Sequence, residues 1–200
     1  KLGKVRLAPR EDASLKYDLS IGSMLNGVRE GDWWKIHLLD GSTGWIRDKE
    51  VRRIEGQEQA DTSIVRQKIV ETARLFLGDP YYWGGRSAHH PQASAPPYTA
   101  VDCSGLVGLT YQANGLNIPR DAHEQWMKAK PIARGKLRPG DFVFLSDPNH
   151  PKRITHVMLY TGEGRVIEGP GTGQYVREMD LEKRLKEAGP RRAFFGTYAF

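Results

Sequence analysis

The sequence predicts an α+β fold with an antiparallel sheet, preceded by a small all-β barrel. Near residue 60 the hydrophobic pattern changes from short alternating runs to helical spacing. Beyond that point helices come first and strands follow, an order typical of α+β domains. We therefore expect two domains, at residues 1–55 and 63–200, joined by a polar linker at residues 56–62.

Residues 1–55 are predicted to form short strands separated by turns. Trp34, Ile36 and Leu38 alternate with polar residues, which places them on one face of a strand. The close spacing of the turns favours a small barrel or sandwich. The strand-like runs are 5–7, 33–38 and 44–47, with turn residues at 31–32 and 40–42.

The second region is predicted to contain helices and then strands. Its first helix begins at the capping residues Thr62 and Ser63 and stops before Gly78 and Pro80. Its last helix is mostly polar, so we expect it to lie on the surface. The predicted helices are 62–77, 104–114, 123–129 and 181–188, and the predicted strands are 142–145, 155–160, 165–167 and 193–198.

The composition excludes several classes of protein. Cys103 is the only cysteine among 200 residues, which excludes an internal disulfide and a cysteine-rich zinc site. The hydrophobic share of 38% is too high for a disordered chain. No run approaches the ~20 apolar residues of a membrane span. We interpret the start at Lys1 as that of a trimmed or mature form.

The net charge of +6 is spread along the chain. Basic residues form only short pairs, such as Arg52-Arg53 and Arg191-Arg192, and no longer run. This pattern favours a solvated basic surface over nucleic-acid binding. Attraction to an anionic polymer or to a substrate that carries carboxylates stays open.

The surroundings of Cys103 are those of a nucleophile at the start of a helix. Asp102 is a suitable N-cap, which places the thiol in the first turn, where the helix dipole favours thiolate. Free amides at the same helix start are able to stabilise an oxyanion. A small buried apolar cysteine is the alternative that Cys103 alone leaves open.

His156 is the candidate base among the six histidines because it opens a strongly apolar strand. Such a base is normally oriented by a third polar group. Glu168 ends the next strand, and a hairpin through the turn at 161–164 would place it beside His156. The alternatives are a partly buried structural histidine and an exposed carboxylate at a strand end.

Five segments then stand in a specific order and spacing. They are Tyr81-Tyr82-Trp83-Gly84-Gly85, Asp102-Cys103-Ser104-Gly105-Leu106-Val107, Ile118-Pro119-Arg120-Asp121-Ala122, Pro139-Gly140-Asp141-Phe142-Val143-Phe144 and His156-Val157. Together they resemble the NlpC-type bacterial cell-wall cysteine peptidases over residues 63–200.

This resemblance implies a papain-like α+β domain that cleaves γ-D-glutamyl–diamino acid bonds in peptidoglycan stem peptides. Cys103 matches the nucleophile and His156 the base. Glu168 stands where the family has its third polar residue, a place often filled by histidine, so glutamate is a departure. The resemblance implies no cofactor. His89 and His90 do not indicate a metal site, because no carboxylate or cysteine stands at ligand spacing.

Residues 1–55 resemble a bacterial SH3 domain through Gly31–Ile36 and Asp40–Ile46. With Arg120 and Asp121, this indicates the YkfC-like branch, in which an aspartate binds the free amine of an N-terminal L-Ala. Asp121 matches that aspartate, and capping the next helix is its alternative role. The residues that match the lining of the peptide pocket are Tyr81, Trp83, Asp102 and Ser104.

The expected partners are peptidoglycan stem peptides or muropeptides, and the expected state is a monomer. The expected location is periplasmic or cell-wall-facing, with cytoplasmic recycling as the alternative. Two other functions stay open. One is an amidase or acyltransferase that uses the same three residues, and the other is a non-catalytic cell-wall-binding protein.

Overall fold

The computed structural model describes residues 2–54, 62–87 and 100–198. The chain divides into two compact units, Lys1–Glu55 and Gly56–Phe200. All but Thr62 of the predicted linker at 56–62 lies outside the described residues.

The first unit contains an antiparallel sheet that has five strands in the described residues. They are β1 (Leu2–Arg6), β2 (Leu15–Ser20), β3 (Asn26–Glu30), β4 (Trp33–His37) and β5 (Thr43–Arg47). Their order across the sheet is β2-β1-β5-β4-β3. The sequence did not predict β2 and β3. Every residue of β3 is exposed, so that strand carries no alternation of buried and exposed residues.

The core of this unit forms on one face of β4. Val5, Ile36 and Ile46 are buried together, and Trp34 and Leu38 pack against them. The predicted shared face of Trp34, Ile36 and Leu38 is therefore confirmed. The unit is a small β domain, and its assignment as SH3-like stays a prediction.

The second unit combines helices with a larger antiparallel sheet, which confirms the predicted α+β class. Its described helices are α1 (Thr62–Arg74), α2 (Cys103–Gln112), α3 (Ala122–Lys128) and α4 (Leu181–Glu187). Its described strands are β6 (Arg86–Ser87), β7 (Ala100–Val101), β8 (Lys130–Pro131), β9 (Phe142–Ser146), β10 (Ile154–Gly162), β11 (Arg165–Glu168), β12 (Arg177–Asp180) and β13 (Ala193–Thr197). None of the described helices is long and apolar enough to cross a bilayer.

The main sheet is ordered β12-β11-β10-β9-β13-β8, and β6 pairs with β7 separately. At its centre β9 is buried along its whole length. Strands β10 and β11 form the predicted hairpin, with Leu159 opposite Ile167 and Tyr160 opposite Val166. The hairpin brings the start of β10, with His156, beside the end of β11, with Glu168.

Helix α4 lies largely on the surface, as predicted, since four of its seven residues are exposed, but one face packs inward. Leu181 and Arg184 are buried, and Leu181 joins the core that includes Val143 and Met158. One of the inward residues is an arginine, so the helix has a buried face without a continuous apolar stripe. The polar composition therefore concealed its packing.

The start of α2 lies against the turn that precedes β6. A Cβ atom added to Gly105 would stand 2.1 Å from the carbonyl oxygen of Gly85, closer than any van der Waals contact allows. Only glycine permits this approach of the helix to the turn. By contrast, a Cβ atom on Gly108 would meet nothing within 4 Å.

Gly105 and Gly108 offer a matched pair of substitutions on one helix. Gly105→Ala forces the helix away from Gly85 and is expected to lower the free energy of unfolding by about 1–3 kcal/mol. Gly108→Ala is expected to be neutral or to stabilise by up to about 1 kcal/mol, because alanine favours helix more than glycine does. Urea unfolding measures both values, and equal effects would contradict this account of the packing.

Candidate active site

Cys103 is the first residue of α2, and the residue is 8% exposed. Asp102 caps the helix as predicted, since its Oδ1 accepts the Gly105 N–H at 2.6 Å. The positive end of the helix dipole therefore acts on the sulfur, which favours the thiolate.

The imidazole of His156 reaches Cys103 from β10. Burial opposes ionisation of the thiol, yet His156 lies close enough for its hydrogen bonding and charge to lower the pKa of Cys103. His156 is itself only 4% exposed. The structure therefore brings together a thiol and an imidazole that sequence reasoning placed on different elements.

Glu168 completes the group from the end of β11. Its Oε2 lies 2.6 Å from Nε2 of His156, and its side chain is fully buried. Because Nε2 is taken by Glu168, Nδ1 is the ring nitrogen left for Cys103. Thiol and serine hydrolases share such an arrangement of a thiol or hydroxyl, an imidazole and a carboxylate.

Two arginines that the sequence did not single out also bind Glu168. Nε of Arg184 lies 2.8 Å from both carboxylate oxygens. Arg177 donates to Oε1 from Nε at 3.1 Å and from a terminal nitrogen at 2.8 Å. Residues 168, 177 and 184 come from three successive elements, so no local pattern in the sequence could have shown their contact.

The electrostatics of the group favour a thiolate–imidazolium pair. Burial raises the pKa of Cys103, but the hydrogen bond and charge of His156 outweigh it and lower that pKa below its usual value. Burial lowers the pKa of His156, yet its bonds to Cys103 and Glu168 raise it overall. Burial also raises the pKa of Glu168, but His156 and Arg184 bring it down to about 2.

Tyr81 and Trp83 belong to the turn next to Cys103. Burial, together with the nearby charges of Cys103 and Asp102, raises the pKa of Tyr81 to about 12, so its hydroxyl keeps its proton. Backbone bonds hold the turn, since Tyr82 donates to Val101 and Asp102 donates to Gly85. Trp83 is 80% exposed and is available for contact.

Asp102 and Ser104 are engaged within the protein by Arg120. The guanidinium donates to both oxygens of Asp102, at 2.6 and 3.1 Å, and to the Ser104 hydroxyl at 2.9 Å. Asp102 also accepts the Gly84 amide at 3.0 Å. Arg120 therefore holds the side chains of both predicted pocket residues, which flank Cys103 in the sequence, and direct contact with a substrate stays a prediction for them.

Asp121 stands at the N-cap position of α3, but its side chain makes no capping hydrogen bond. The alternative role as a side-chain cap is therefore not seen in the structure. Its carboxylate is exposed and lies one residue from Arg120. An exposed acidic group thus stands next to Arg120, which itself binds Asp102 and Ser104.

His89 and His90 lie outside the described residues. Within residues 2–54, 62–87 and 100–198, no group of three or more His, Cys, Asp or Glu side chains is arranged to hold a metal ion.

Comparison with known proteins assigns the second unit to a family. The sequence profile of the NlpC/P60 family matches residues 78–191, more than half of the chain. The chain belongs to the NlpC/P60 family. The matched residues include Cys103, His156 and Glu168.

Two curated relatives are similar to this NlpC/P60 chain. The gamma-D-glutamyl-L-lysine dipeptidyl-peptidase of Bacillus subtilis is 27% identical over 179 residues, 89% of this chain and 55% of the relative. The murein DD-endopeptidase MepH of Escherichia coli is 30% identical over 151 residues, 74% of this chain and 49% of the relative. The chain therefore spans about half the length of these relatives.

A solved structure shows the same fold. The crystal structure of an NlpC/P60 family protein from Bacillus cereus superposes with a TM-score of 0.77 and covers 96% of this chain and 59% of that chain. At 22% identity this likeness concerns the fold. It supports the papain-like α+β architecture of the NlpC/P60 unit.

The reactivity of Cys103 with iodoacetamide is expected to persist at low pH. An ordinary thiol is only about 0.3% ionised at pH 6, whereas the pKa of Cys103 is lowered, which favours a larger thiolate fraction at that pH. We expect alkylation at pH 6 to exceed that of a free cysteine peptide by roughly tenfold or more. His156→Gln is the control and should return the rate toward the peptide value. A wild-type rate that already equals the peptide value would contradict the ion pair.

Proposed function

We propose that this chain is a cysteine endopeptidase that hydrolyses the γ-D-glutamyl–diamino acid bond of peptidoglycan stem peptides. We further propose that it prefers fragments with a free N-terminal L-Ala. The observation that carries the proposal is the buried contact of Cys103, His156 and Glu168 inside the family-matched region. The name of the Bacillus subtilis relative supports the choice of bond.

In this proposal Cys103 is the nucleophile. Its thiolate attacks the carbonyl carbon of the γ-D-glutamyl bond, and a carbon–sulfur bond forms as the carbonyl oxygen gains negative charge. Free amides at the start of α2 stabilise that oxyanion. The Tyr81 hydroxyl keeps its proton near the sulfur and is available as a further donor.

His156 moves the protons in both halves of the reaction. As imidazolium it protonates the leaving amine of the diamino acid while the carbon–nitrogen bond breaks. As neutral imidazole it then takes a proton from water, which attacks the thioester and releases the thiolate. Glu168 holds the ring through Nε2, so Nδ1 stays directed at the reacting atoms.

Asp121 is the proposed recognition group for the free amine of L-Ala. The Asp121 carboxylate is exposed and does not cap its own helix, so it is available to bind an ammonium. Such charge-assisted bonds are among the stronger polar contacts. Tyr81 and Trp83 are proposed to line the peptide pocket, with Asp102 and Ser104 forming its floor through Arg120.

The wider setting is proposed on the same basis. Peptidoglycan fragments are the proposed partners, and a periplasmic or cell-wall-facing location follows from them, with cytoplasmic recycling as the alternative. The β domain at 1–55 is proposed to be SH3-like and the chain to be a monomer. The chemistry described for Cys103, His156 and Glu168 requires no cofactor.

Cys103→Ala tests the mechanism. Cleavage of L-Ala-γ-D-Glu-diamino acid peptide is expected to fall by roughly 10⁴-fold or more, because loss of the nucleophile removes the covalent route. Mass spectrometry of the products identifies the bond. Release of L-Ala-γ-D-Glu together with a new free diamino-acid amine indicates the proposed endopeptidase, whereas a peptide that stays intact with the parent protein excludes this bond as the substrate. Transfer to an added amine indicates an acyltransferase, and parent-rate cleavage by Cys103→Ala excludes the mechanism.

Asp121→Ala tests recognition of the amine. We expect kcat/KM on the peptide with a free L-Ala amine to fall roughly 10- to 100-fold, the range for a lost hydrogen bond to a charged group. The N-acetylated peptide should lose little, because it offers no ammonium. Glu124→Gln is the control, since Glu124 is an exposed acid in the first turn of the same helix. Equal losses on both peptides would assign Asp121 a structural role.

A further inference from the structure

We propose that Arg184 is a positioning residue, which acts through Glu168 to hold the imidazole of His156 toward Cys103. The roles of Cys103 and His156 in this inference rest on the proposed function. The contacts that carry it are independent of any substrate.

Arg184 is the group that fixes both oxygens of Glu168. Its Nε lies 2.8 Å from Oε1 and 2.8 Å from Oε2, while Oε2 also meets His156 at 2.6 Å. Arg177 bonds Oε1 alone, and its side chain is 41% exposed and also lies 3.5 Å from Glu187. Among the residues that the structure describes, Arg184 therefore is the one that fixes the plane of the carboxylate and the direction of Oε2.

Burial makes this pair mutually dependent. Glu168 is fully buried and Arg184 is 8% exposed. A buried carboxylate or guanidinium is costly without a partner of opposite charge. This explains why helix α4 turns Arg184 toward the sheet. The family resemblance leads one to expect a histidine at position 168, and the glutamate that stands there needs a positively charged partner.

Arg184 also sets the charge that His156 experiences. An uncompensated buried carboxylate would hold the imidazolium proton strongly and leave little neutral imidazole to activate water. The guanidinium groups of Arg177 and Arg184 both bind Glu168 and so weaken the attraction between its carboxylate and the imidazolium. The charged and titratable groups around the cluster come from several elements. They are His156 from β10, Arg177 from β12, Arg184 and Glu187 from α4, Arg191 and Asp147 beside β9, and, around Cys103, Asp102, Arg120 and the neutral Tyr81.

The sign of the effect follows from removing a positive charge. In Arg184→Gln the positive charge of Arg184 no longer repels the imidazolium of His156, so the imidazole keeps its proton to higher pH. The thiolate of Cys103 is less favoured, so it also forms at higher pH. Both limbs of the pH dependence of kcat/KM are therefore expected to move to higher pH. A purely structural role would lower the activity at every pH and leave the limbs in place.

The first experiment compares Arg184→Gln, Arg184→Lys and Arg74→Gln in the full chain. Arg184→Gln is expected to lose roughly 10- to 100-fold in kcat, the usual cost of removing a group that orients a functional side chain, with KM little changed. Arg184→Lys keeps the positive charge but replaces the planar guanidinium with a single ammonium. The pH profile of kcat/KM is therefore expected to return to that of the wild type, while part of the loss in kcat remains. Arg74→Gln removes a more exposed pair, with Glu178, and should behave as wild type.

The pH dependence of Cys103 alkylation by iodoacetamide is measured on the same proteins. This readout involves no peptide substrate, so it tests the inference even if the proposed cleavage is not observed. An upward shift of the alkylation profile in Arg184→Gln supports the inference. Unchanged alkylation and unchanged kcat in this variant overturn it.

A double-substitution cycle with Glu168→Gln tests whether Arg184 acts through Glu168. If it does, adding Arg184→Gln to Glu168→Gln costs less than about twofold beyond Glu168→Gln alone. Losses that multiply would overturn the inference. If Arg184→Gln does not fold, as seen by circular dichroism, Arg184→Lys decides. A reduced kcat at unchanged KM then supports the inference, and wild-type kcat and alkylation overturn it.

Discussion

The arrangement around the thiol depends on one carboxylate, that of Asp102. It accepts the amide of Gly84 from the turn before β6 and the amide of Gly105 inside α2. It also binds the guanidinium of Arg120, which precedes α3. Three segments distant in sequence are thus joined one residue from Cys103. Gly105 contributes to the same contact sterically, because only a residue without a side chain lets α2 approach Gly85 this closely.

Two carboxylate–arginine pairs stand on either side of the thiol and imidazole. Asp102 pairs with Arg120 beside Cys103, and Glu168 pairs with Arg184 beside His156. Each arginine offsets the charge of its carboxylate, so neither carboxylate acts as a bare anion in a buried region. The two pairs hold the geometry around Cys103 and His156, and the charge that remains on each pair helps to set the proton balance between thiol and imidazole.

The sequence predicted the elements that carry strong periodicity or caps, and it missed those without them. The start of α2 at Cys103 followed from Asp102, and the β10–β11 hairpin followed from apolar runs around a glycine turn. Strand β3 was missed because both its faces are exposed. Arg184 was unpredictable because its contact with Glu168 arises only when α4 packs on the sheet. Local patterns encode local structure, whereas charge partners are set by packing.

The single cysteine of this chain has a consequence for oxidation. A thiolate at a helix start is the form of cysteine that peroxide converts to sulfenic acid. Within these 200 residues no second thiol exists to condense with it. Repair of oxidised Cys103 therefore depends on an external reductant small enough to reach a sulfur in a residue that is only 8% exposed. The burial that shapes the reactivity of Cys103 also restricts what can restore it.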